Sequence, residues 1–306
     1  MNERIASYAH IILALFLSPL LSGVINRVKA KFGGRTGQPL LQAYYDLFKL
    51  LRKGAVYSRT TTFVFRLGPV ASLGAALAVL PFLPLGGVRA FAEFAGDFLL
   101  ALYLLGIIRF VTVLAALDTG SAFEGMGASR EVRFSALAEP AMLLGFAALA
   151  VLSGGRSLSG IYAAHASRTL LVAGGAAFPL VAAAFFLILL AENARIPVDD
   201  PNTHLELTMI HEVMVLDHGG VDLGLIQYAS GLKLWIFCAL WCGVALPVRF
   251  GNPWADLGFG FGGVFAAAII VGVVESVMAR LKMTRVPQML LAANVLCIVA
   301  LALVMR

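Results

Sequence analysis

Several carboxylate side chains stand at or inside the ends of long apolar stretches, where they could bind and release protons. Glu139 directly precedes Pro140 at the start of one stretch, Glu192 closes another, and Glu275 lies about one turn before the end of a third. An ionisable group inside a membrane is costly and is a functional candidate by default. Desolvation disfavours the charged carboxylate, so these groups are candidates for an ion path.

Arg109 is the cation that such a path would need. It lies about two turns inside an apolar stretch, and Asp118 follows nine residues later, nearer the boundary. A lone charge at that depth costs several kcal/mol. We therefore expect Arg109 to pair with a carboxylate in the interior of a helix bundle.

The segment 191–222, AENARIPVDDPNTHLELTMIHEVMVLDHGGVD, is rich in titratable groups. Its prolines exclude a helix at PVDDP, after which apolar and polar residues follow helical spacing. His204, His211 and His218 recur every seven residues and would share one face of a continuous helix, but about 10.5 Å of rise separates neighbours. One metal ion cannot bridge that distance, and HExxH is absent. Together with Glu206, the row predicts a proton relay or a charged funnel; a solvated polar face is the alternative.

The composition shows what kind of elements must position these residues. Of the 306 residues, 60% are hydrophobic and 13% are charged, whereas about 25% are charged in a typical soluble domain. Mean hydropathy is +0.90. This excludes a soluble enzyme, a disordered chain and a disulfide scaffold, and predicts an all-α polytopic membrane protein with one integral domain over 1–306. The expected spans are about 7–25, 63–86, 97–117, 136–153, 169–191, 229–248, 259–279 and 286–305.

The distribution of basic residues predicts the orientation. The connections after spans 1, 3, 5 and 7 hold 16 of the 23 lysines and arginines, and the other side, termini included, holds six. The positive-inside rule places the first group in the cytoplasm and both termini outside. The net charge of +6 therefore reflects orientation, and nucleic acid is not an expected partner.

The first connection predicts a helix on the membrane surface. Gly33, Gly34, Gly37 and Pro39 make a tight turn, and residues 40–51 then place apolar side chains on one helical stripe with basic ones beside it. Two interpretations remain open: a lipid-surface anchor, and a helix that roofs a cavity or docks a soluble partner.

The cysteines argue against a metal on this chain. Cys238, Cys242 and Cys297 all lie inside apolar segments, and no CxxC pair occurs. Neither an iron–sulfur cluster nor structural zinc has a plausible set of ligands here.

Short motifs at the boundaries of the predicted spans carry a resemblance over nearly the whole chain. They are Gly34-Arg35-x-Gly37 with Gln38-Pro39, Leu117-Asp118-Thr119-Gly120, Gly127-Ala128-Ser129-Arg130-Glu131, Ala138-Glu139-Pro140, Ala191-Glu192, Arg195-x-Pro197-x-Asp199, Glu275-Ser276-x-Met278-Ala279-Arg280-Leu281 and Arg285-Val286-Pro287. The chain resembles the membrane subunit that complex I shares with membrane-bound NiFe hydrogenases and formate hydrogenlyases. The LDTG, GASRE and ES-MARL elements are more similar to the hydrogenase branch. Quinone-handling members carry alternating carboxylates where this chain has Asn202, His204 and Glu206, of which only the last is acidic.

The resemblance implies a non-catalytic membrane subunit of an energy-converting oxidoreductase in a bacterial inner membrane. It would hold no cofactor and would dock a NiFe large subunit and an iron–sulfur small subunit through Arg35, Arg130 and Arg195. Antiporter-like subunits would flank it, and protons or sodium would be translocated. The candidate ion-path residues are Glu139, Glu192, Glu206, Glu275, His204, His211, Arg109, Asp118 and Asp199. The alternatives are the quinone-tunnel subunit of complex I and a free-standing ion transporter, although the inverted repeat usual for transporters is not visible.

Overall fold

The computed structural model describes residues 2–166, 174–199 and 209–306, and within these ranges it contains ten α-helices. The helices are α1 (Asn2–Phe32), α2 (Gln42–Leu51), α3 (Phe63–Val79), α4 (Asp97–Asp118), α5 (Ala122–Ser153), α6 (Leu158–His165), α7 (Ala177–Glu192), α8 (Gly220–Ala245), α9 (Pro253–Val277) and α10 (Val286–Val304). Two 3₁₀ turns, Leu80–Phe82 and Glu212–Val215, complete the described elements. The expected all-α architecture is confirmed.

Seven of these helices are long and apolar enough to cross a membrane, namely α1, α3 with its 3₁₀ extension, α4, α5, α8, α9 and α10. The eighth expected span, 169–191, coincides with α7, an apolar helix of 16 residues. Residues 167–173 of that stretch lie outside the described residues. The chain is therefore a multi-pass membrane protein with close to the expected number of spans.

Small residues let the long helices approach one another closely. A Cβ atom on Gly68 of α3 would lie 2.9 Å from the Ala115 side chain of α4, and one on Gly272 of α9 would lie 2.9 Å from Val28 of α1. Where no hydrophobic effect drives helices together, such close packing is a main source of association. The buried interior is mostly apolar and includes the fully buried Trp235.

Both chain ends lie at one end of the bundle. Ser7 of α1 donates to the Arg89 carbonyl, 2.8 Å away, in the connection between α3 and α4. Asn294 of α10 donates to the Leu137 carbonyl of α5 at 2.7 Å, and α10 runs parallel to α5. We call this end the opposite end; the other, which holds α2, the 278–285 connection and the described residues of the 193–219 connection, is the α2 end.

The amphipathic helix expected in the first connection is confirmed as α2. It packs against α8, where a Cβ atom on Gly224 would lie 3.4 Å from Leu50, and Tyr44 donates to the Phe16 carbonyl of α1. Tyr45 and Phe48 on its outer side are exposed. One side of α2 thus faces the bundle and the other is apolar and uncovered in this chain.

The connection expected between the spans 97–117 and 136–153 is mostly helical, because α5 begins at Ala122. Glu124 and Glu131, seven residues apart, lie on one buried face of this helix. Its 32 residues span about 48 Å, well beyond the ~30 Å hydrocarbon core of a bilayer. The first turns of α5 therefore project beyond the membrane at the α2 end and carry charge without the cost of burial in lipid.

The continuous helix that would have placed the histidines on one face is not found among residues 209–219. A short 3₁₀ turn is followed by α8, which starts at Gly220 with a φ of +56° that glycine adopts without strain. His211 and His218 therefore point to different surroundings, and His218 stacks on Phe65 with ring centroids 3.9 Å apart. His204 lies outside the described residues.

Candidate functional site

A cavity of about 330 Å³ opens at the α2 end between α1, α2, α8 and the connection after α7. Gln42 and Asp46 of α2 line the roof of this cavity. The helix thus covers a cavity, as in one of the two interpretations of the first connection. Charged side chains line its interior, and they are Arg109, Glu131, Glu192, Arg195, His211, Glu212 and Lys233. So many ionisable groups beside one membrane cavity are the default mark of an ion or substrate pathway.

Three of these residues and Glu139 form a continuous row across four helices, Glu139–Arg109–Glu192–Lys233, which we call the ion-pair row. The Arg109 guanidinium donates from Nη1 to Glu192 and from Nη2 to Glu139. The second carboxylate oxygen of Glu192 lies 3.0 Å from Lys233 Nζ. The expected pairing of Arg109 with a carboxylate is thus confirmed, and the row has two charges of each sign and no net charge.

The row leads from the cavity to the flank of the bundle. Arg109, Glu192 and Lys233 are buried, whereas the Glu139 side chain is 55% exposed on the flank formed by α4 and α5. A second cavity of about 50 Å³ lies there against Tyr103 and Glu139. Arg109 lies 12 residues from the start of α4 and nine from its end, about 18 and 14 Å. The row therefore crosses the bundle near the middle of the membrane.

A second group, the Asp199 cluster, joins three connections at the α2 end. One Asp199 oxygen accepts from Arg280 at 2.7 Å, and the other accepts from the backbone amides of Ile210 and His211, both at 3.1 Å. The His211 ring lies 3.5 Å from Asp199 through Nδ1 and 3.2 Å from Glu131 through Nε2. His211 thus stands between a carboxylate of α5 and one of the connection after α7.

The surroundings of the Asp199 cluster shift the pKa values of His211 and Asp199 so that the charged form of each is favoured. Burial lowers the pKa of His211, but the Glu131 charge and the Asp199 contact outweigh that effect and hold the pKa above its ordinary value. Burial raises the pKa of Asp199, but the His211 and Arg280 contacts outweigh it and hold that pKa below its ordinary value. Both shifts favour the charged pair of imidazolium and carboxylate.

Glu275 is the centre of a third group. Its fully buried carboxylate lies 2.9 Å from Lys29 Nζ of α1 and 3.5 Å from Arg195 Nη1 of the connection after α7. Two cations around one carboxylate leave this group with a net positive charge. It ties the α2 ends of α1 and α9 to the segment that leads into the Asp199 cluster.

The structure brings most of the expected ion-path residues into these groups but leaves Asp118 apart. Asp118 accepts from the Thr62 amide at 2.7 Å, the Thr62 hydroxyl at 2.8 Å and the Phe65 amide at 3.2 Å. These contacts fix the first turn of α3. His204 and Glu206 lie outside the described residues.

The three arginines expected to dock a partner differ in their surroundings. Arg35 is exposed in the turn before α2. Arg130 donates to the Met209 carbonyl at 2.7 Å and is partly buried. Arg195 points inward to Glu275 with only 12% of its side chain exposed.

Sequence reasoning missed four charged residues of the groups, which are Lys29, Glu131, Lys233 and Arg280. Lys233 carries a usable signal, because the apolar sequence GLKLWIF on both sides of it is the same feature that singles out Arg109. Glu131 stands in a segment whose composition predicts a solvated turn. Across residues 2–166, 174–199 and 209–306, no group of three His, Cys, Asp or Glu side chains could hold a metal ion.

The comparisons with known proteins agree with a membrane subunit of this kind. The chain is 32% identical to formate hydrogenlyase subunit 4 of Escherichia coli (strain K12) over 289 residues, 90% of this chain and 91% of that protein. It is 31% identical to hydrogenase-4 component C of the same organism, over 79% of this chain and 75% of that one. An NADH-quinone oxidoreductase subunit of Neisseria meningitidis is 25% identical over 71% of this chain and 62% of its own length.

A solved structure and a family assignment complete the comparison. A chain of the membrane-bound sulfane sulfur reductase, an archaeal respiratory membrane complex, superposes with a TM-score of 0.81 at 22% identity, covering 98% of this chain and 100% of that one. This likeness shows a shared fold. The NADH dehydrogenase family matches residues 5–306. The chain therefore belongs to the NADH dehydrogenase family.

Proposed function

We propose that this chain is the membrane subunit of an energy-converting oxidoreductase complex of the formate hydrogenlyase or group 4 hydrogenase type, in which it couples electron transfer in a soluble module to the movement of protons or sodium. The observation that carries the proposal is the ion-pair row. It joins a cavity at the α2 end to the flank of the bundle at mid-membrane depth. Similarity to formate hydrogenlyase subunit 4 over most of both chains supports the choice of complex.

The row suits coupling because its charges are balanced and its members belong to different helices. A change of charge in the cavity alters the pairing of Lys233 with Glu192, and Arg109 shares its guanidinium between Glu192 and Glu139. A change of charge at the cavity is therefore transmitted to Glu139 on the flank through the contacts that Glu192 and Arg109 share. In a low-dielectric interior such pairs interact much more strongly than in water.

The soluble partners are proposed to dock at the α2 end, which is assigned to the cytoplasm. These would be a NiFe large subunit and an iron–sulfur small subunit, which would hold the NiFe centre and the clusters, while this chain holds no cofactor. The exposed Arg35 and the partly buried Arg130 offer positive charge on that face, whereas Arg195 is engaged by Glu275 and would act through that pair. Arg35→Glu is expected to release the soluble module from membranes, measured by co-purification with metal analysis. A chain that purifies alone would instead favour a free-standing transporter.

The flank around Glu139 is proposed to bind an integral membrane subunit of the antiporter-like kind. A half-exposed carboxylate at this depth would face lipid in the isolated chain, and such a group is rarely left facing hydrocarbon. A neighbouring helix with a polar or ionisable side chain at the same depth would cover it. The complex is placed in the bacterial inner membrane with both termini outside; reporter fusions at Arg306 and in the 193–219 connection should give opposite readings.

Removing the charge from Glu192 tests the coupling role directly. Glu192→Gln keeps the shape and hydrogen-bonding capacity of the side chain, so the complex should assemble. Turnover and ion pumping should each fall by about 100-fold, the lower end of the effect of losing a proton-transfer group. Asp118→Asn is the matched control, because that carboxylate lies off the row on the first turn of α3. Parent-like pumping by an assembled Glu192→Gln complex would refute the proposal.

A quinone site is the second candidate, because the cavity of about 330 Å³ lies within the usual range for small-molecule sites. A subunit of NADH-quinone oxidoreductase is among the relatives, at lower identity than formate hydrogenlyase subunit 4. The dense charge of the cavity favours ions over an apolar ring system. Activity of the purified complex that depends on added quinone would favour this second candidate.

A further inference from the structure

His211 lies where three cytoplasmic-side elements meet, and each element is fastened there by charge. Glu131 of α5 contacts one ring nitrogen, and Asp199 contacts the other and also holds the backbone amides of residues 210 and 211. Arg280 from the connection before α10 holds the far oxygen of Asp199. The 3₁₀ turn after His211 forms part of the cavity wall.

We propose that His211 is a proton-controlled clamp: as an imidazolium it holds Glu131 and Asp199 together, and when it loses its proton the attachment to α5 at Glu131 is released. The clamp makes His211 a positioning residue that sets the wall of the cavity. This inference rests on the proposed function only for its purpose in ion coupling. The clamp itself is defined by local contacts and is testable without pumping.

The chemistry of imidazole limits a neutral His211 to one of its two carboxylates. Imidazolium has two N–H donors, whereas the neutral ring has one donor and one bare acceptor nitrogen. A carboxylate facing the bare nitrogen gains no hydrogen bond and is repelled by its lone pair. Glu131 and Asp199 are both buried, so the loss of a hydrogen-bond partner costs more there than at an exposed site.

The attachment that breaks is the one to Glu131. Asp199 keeps Arg280 and two backbone amides whatever the state of the ring. Glu131 has His211 as its one ion-pair partner among the described residues. The neutral ring therefore remains with the better-anchored Asp199, and the contact between α5 and the cavity wall opens.

Charges from every surrounding element act on His211, and their balance decides when the clamp opens. The carboxylates that favour the charged ring are Glu131 of α5, Asp199 of the connection after α7 and Glu192 of α7, with Glu212 next to His211 in the chain. The cations that oppose it are Lys233 of α8 and Arg280 of the connection before α10. The carboxylates prevail, and the pKa of His211 lies above its ordinary value.

The direction of the pH dependence follows. A group whose pKa is raised in the folded state contributes its full stabilisation below the ordinary value, about 6.5 for histidine. That contribution is lost as pH rises through the raised pKa. The clamp is therefore closed below the ordinary histidine pKa and opens as pH rises through the raised pKa of His211.

Hydrogen–deuterium exchange on the assembled complex in lipid nanodiscs tests the clamp. The readout is the ratio of observed to intrinsic exchange for the amides of residues 210–215 at about pH 6 and about pH 9, which bracket the ordinary histidine pKa. In the parent this ratio should rise about tenfold, the lower end of the effect of losing one hydrogen bond between charged groups. In His211→Gln it should be the same at both pH values. The matched control is His218→Gln, a buried histidine stacked on Phe65, which should keep the parent's pH dependence.

A second variant keeps the test decisive if His211→Gln does not assemble. Glu131→Gln removes one of the charges that hold the proton on the ring, so the midpoint of the exchange transition should move to lower pH. A parent without pH dependence, or an unmoved midpoint in Glu131→Gln, would overturn the clamp. Glu192→Gln should impair pumping but keep a pH-dependent exchange transition, with its midpoint at lower pH because one charge that favours the imidazolium is lost. Failure of the proposed function and failure of the clamp are therefore told apart.

Discussion

Buried carboxylates occur at both ends of this bundle, but their partners differ. At the α2 end, Glu192 and Glu275 are each paired with two cationic side chains from other elements. At the opposite end, Asp97 accepts from the Leu158 amide at 2.7 Å and Asp256 accepts from the Phe250 amide at 2.6 Å. Glu192 and Glu275 thus pair with cationic side chains, whereas Asp97 and Asp256 bind the backbone.

The difference indicates a division of labour between the two ends. A backbone amide does not titrate and cannot change partners, so Asp97 and Asp256 fix the loops in which they lie. Ser159 adds to this by accepting from the Ala90 amide at 2.9 Å. A cationic side chain has several rotamers and other possible partners, so the pairs at the α2 end can respond to a change of charge. The expected results below test this contrast, from the largest to the smallest effect.

Loss of Arg109 should have the largest effect, because it leaves both Glu139 and Glu192 without their shared cation. Breaking a buried pair by removing one partner costs about 3–5 kcal/mol. Arg109→Gln should lower the free energy of unfolding of the detergent-solubilised complex by that amount. Arg156→Gln, an exposed arginine at the opposite end, should leave it nearly unchanged. Equal losses in the two variants would remove the basis for the contrast.

Loss of the Glu275 charge should have an intermediate effect. Glu275→Gln leaves Lys29 and Arg195 facing each other, but Lys29 is partly exposed and can turn its ammonium toward water. We expect a loss of about 2 kcal/mol, in the range of hydrogen bonds to charged groups, measured by the same unfolding assay. The control is Glu93→Gln, since this exposed carboxylate at the opposite end accepts from the Ser157 hydroxyl and should cost less than about 1 kcal/mol. A larger loss in the control would contradict the expected order.

Substitution of the backbone-binding carboxylates should have the smallest effect and none on coupling. Asp97→Asn and Asp256→Asn each retain an oxygen that can accept the amide hydrogen, so we expect losses of about 1 kcal/mol or less. Ion pumping per turnover should equal that of the parent, measured in proteoliposomes. Impaired pumping in either variant, with assembly intact, would show that the opposite end also takes part in ion movement.

The spans and the need for paired charges could be predicted from the sequence, because both follow from the cost of polar groups in lipid. That Arg109 needs a carboxylate is clear from its depth, but Glu139 and Glu192 lie 30 and 83 positions away along the chain. Only the packing of α4 against α5 and α7 selects them over Asp118, which is nearer in sequence. Partner choice in the ion-pair row is therefore a tertiary property.

The polar segments were the least predictable part. Residues 122–135 look like a loop by composition, yet Glu124 and Glu131 lie on one buried face of α5. His211 and His218 lie seven residues apart, and this spacing places two side chains on one face only if the helix is continuous. Local propensity is a weak guide in such segments, because contacts with neighbouring elements decide the backbone.

The length of α5 has a mechanical consequence. Glu131 and Glu139 lie eight residues apart on it, about 12 Å along its axis, and Pro140 stands inside the helix directly after them. Proline removes one backbone hydrogen bond and is where helices bend. The part of α5 that carries both carboxylates can therefore tilt about Pro140. Glu139 adjoins Pro140 whereas Glu131 lies nine residues from it, so such a tilt would move Glu131 and its contact with His211 and leave Glu139 nearly in place in the ion-pair row.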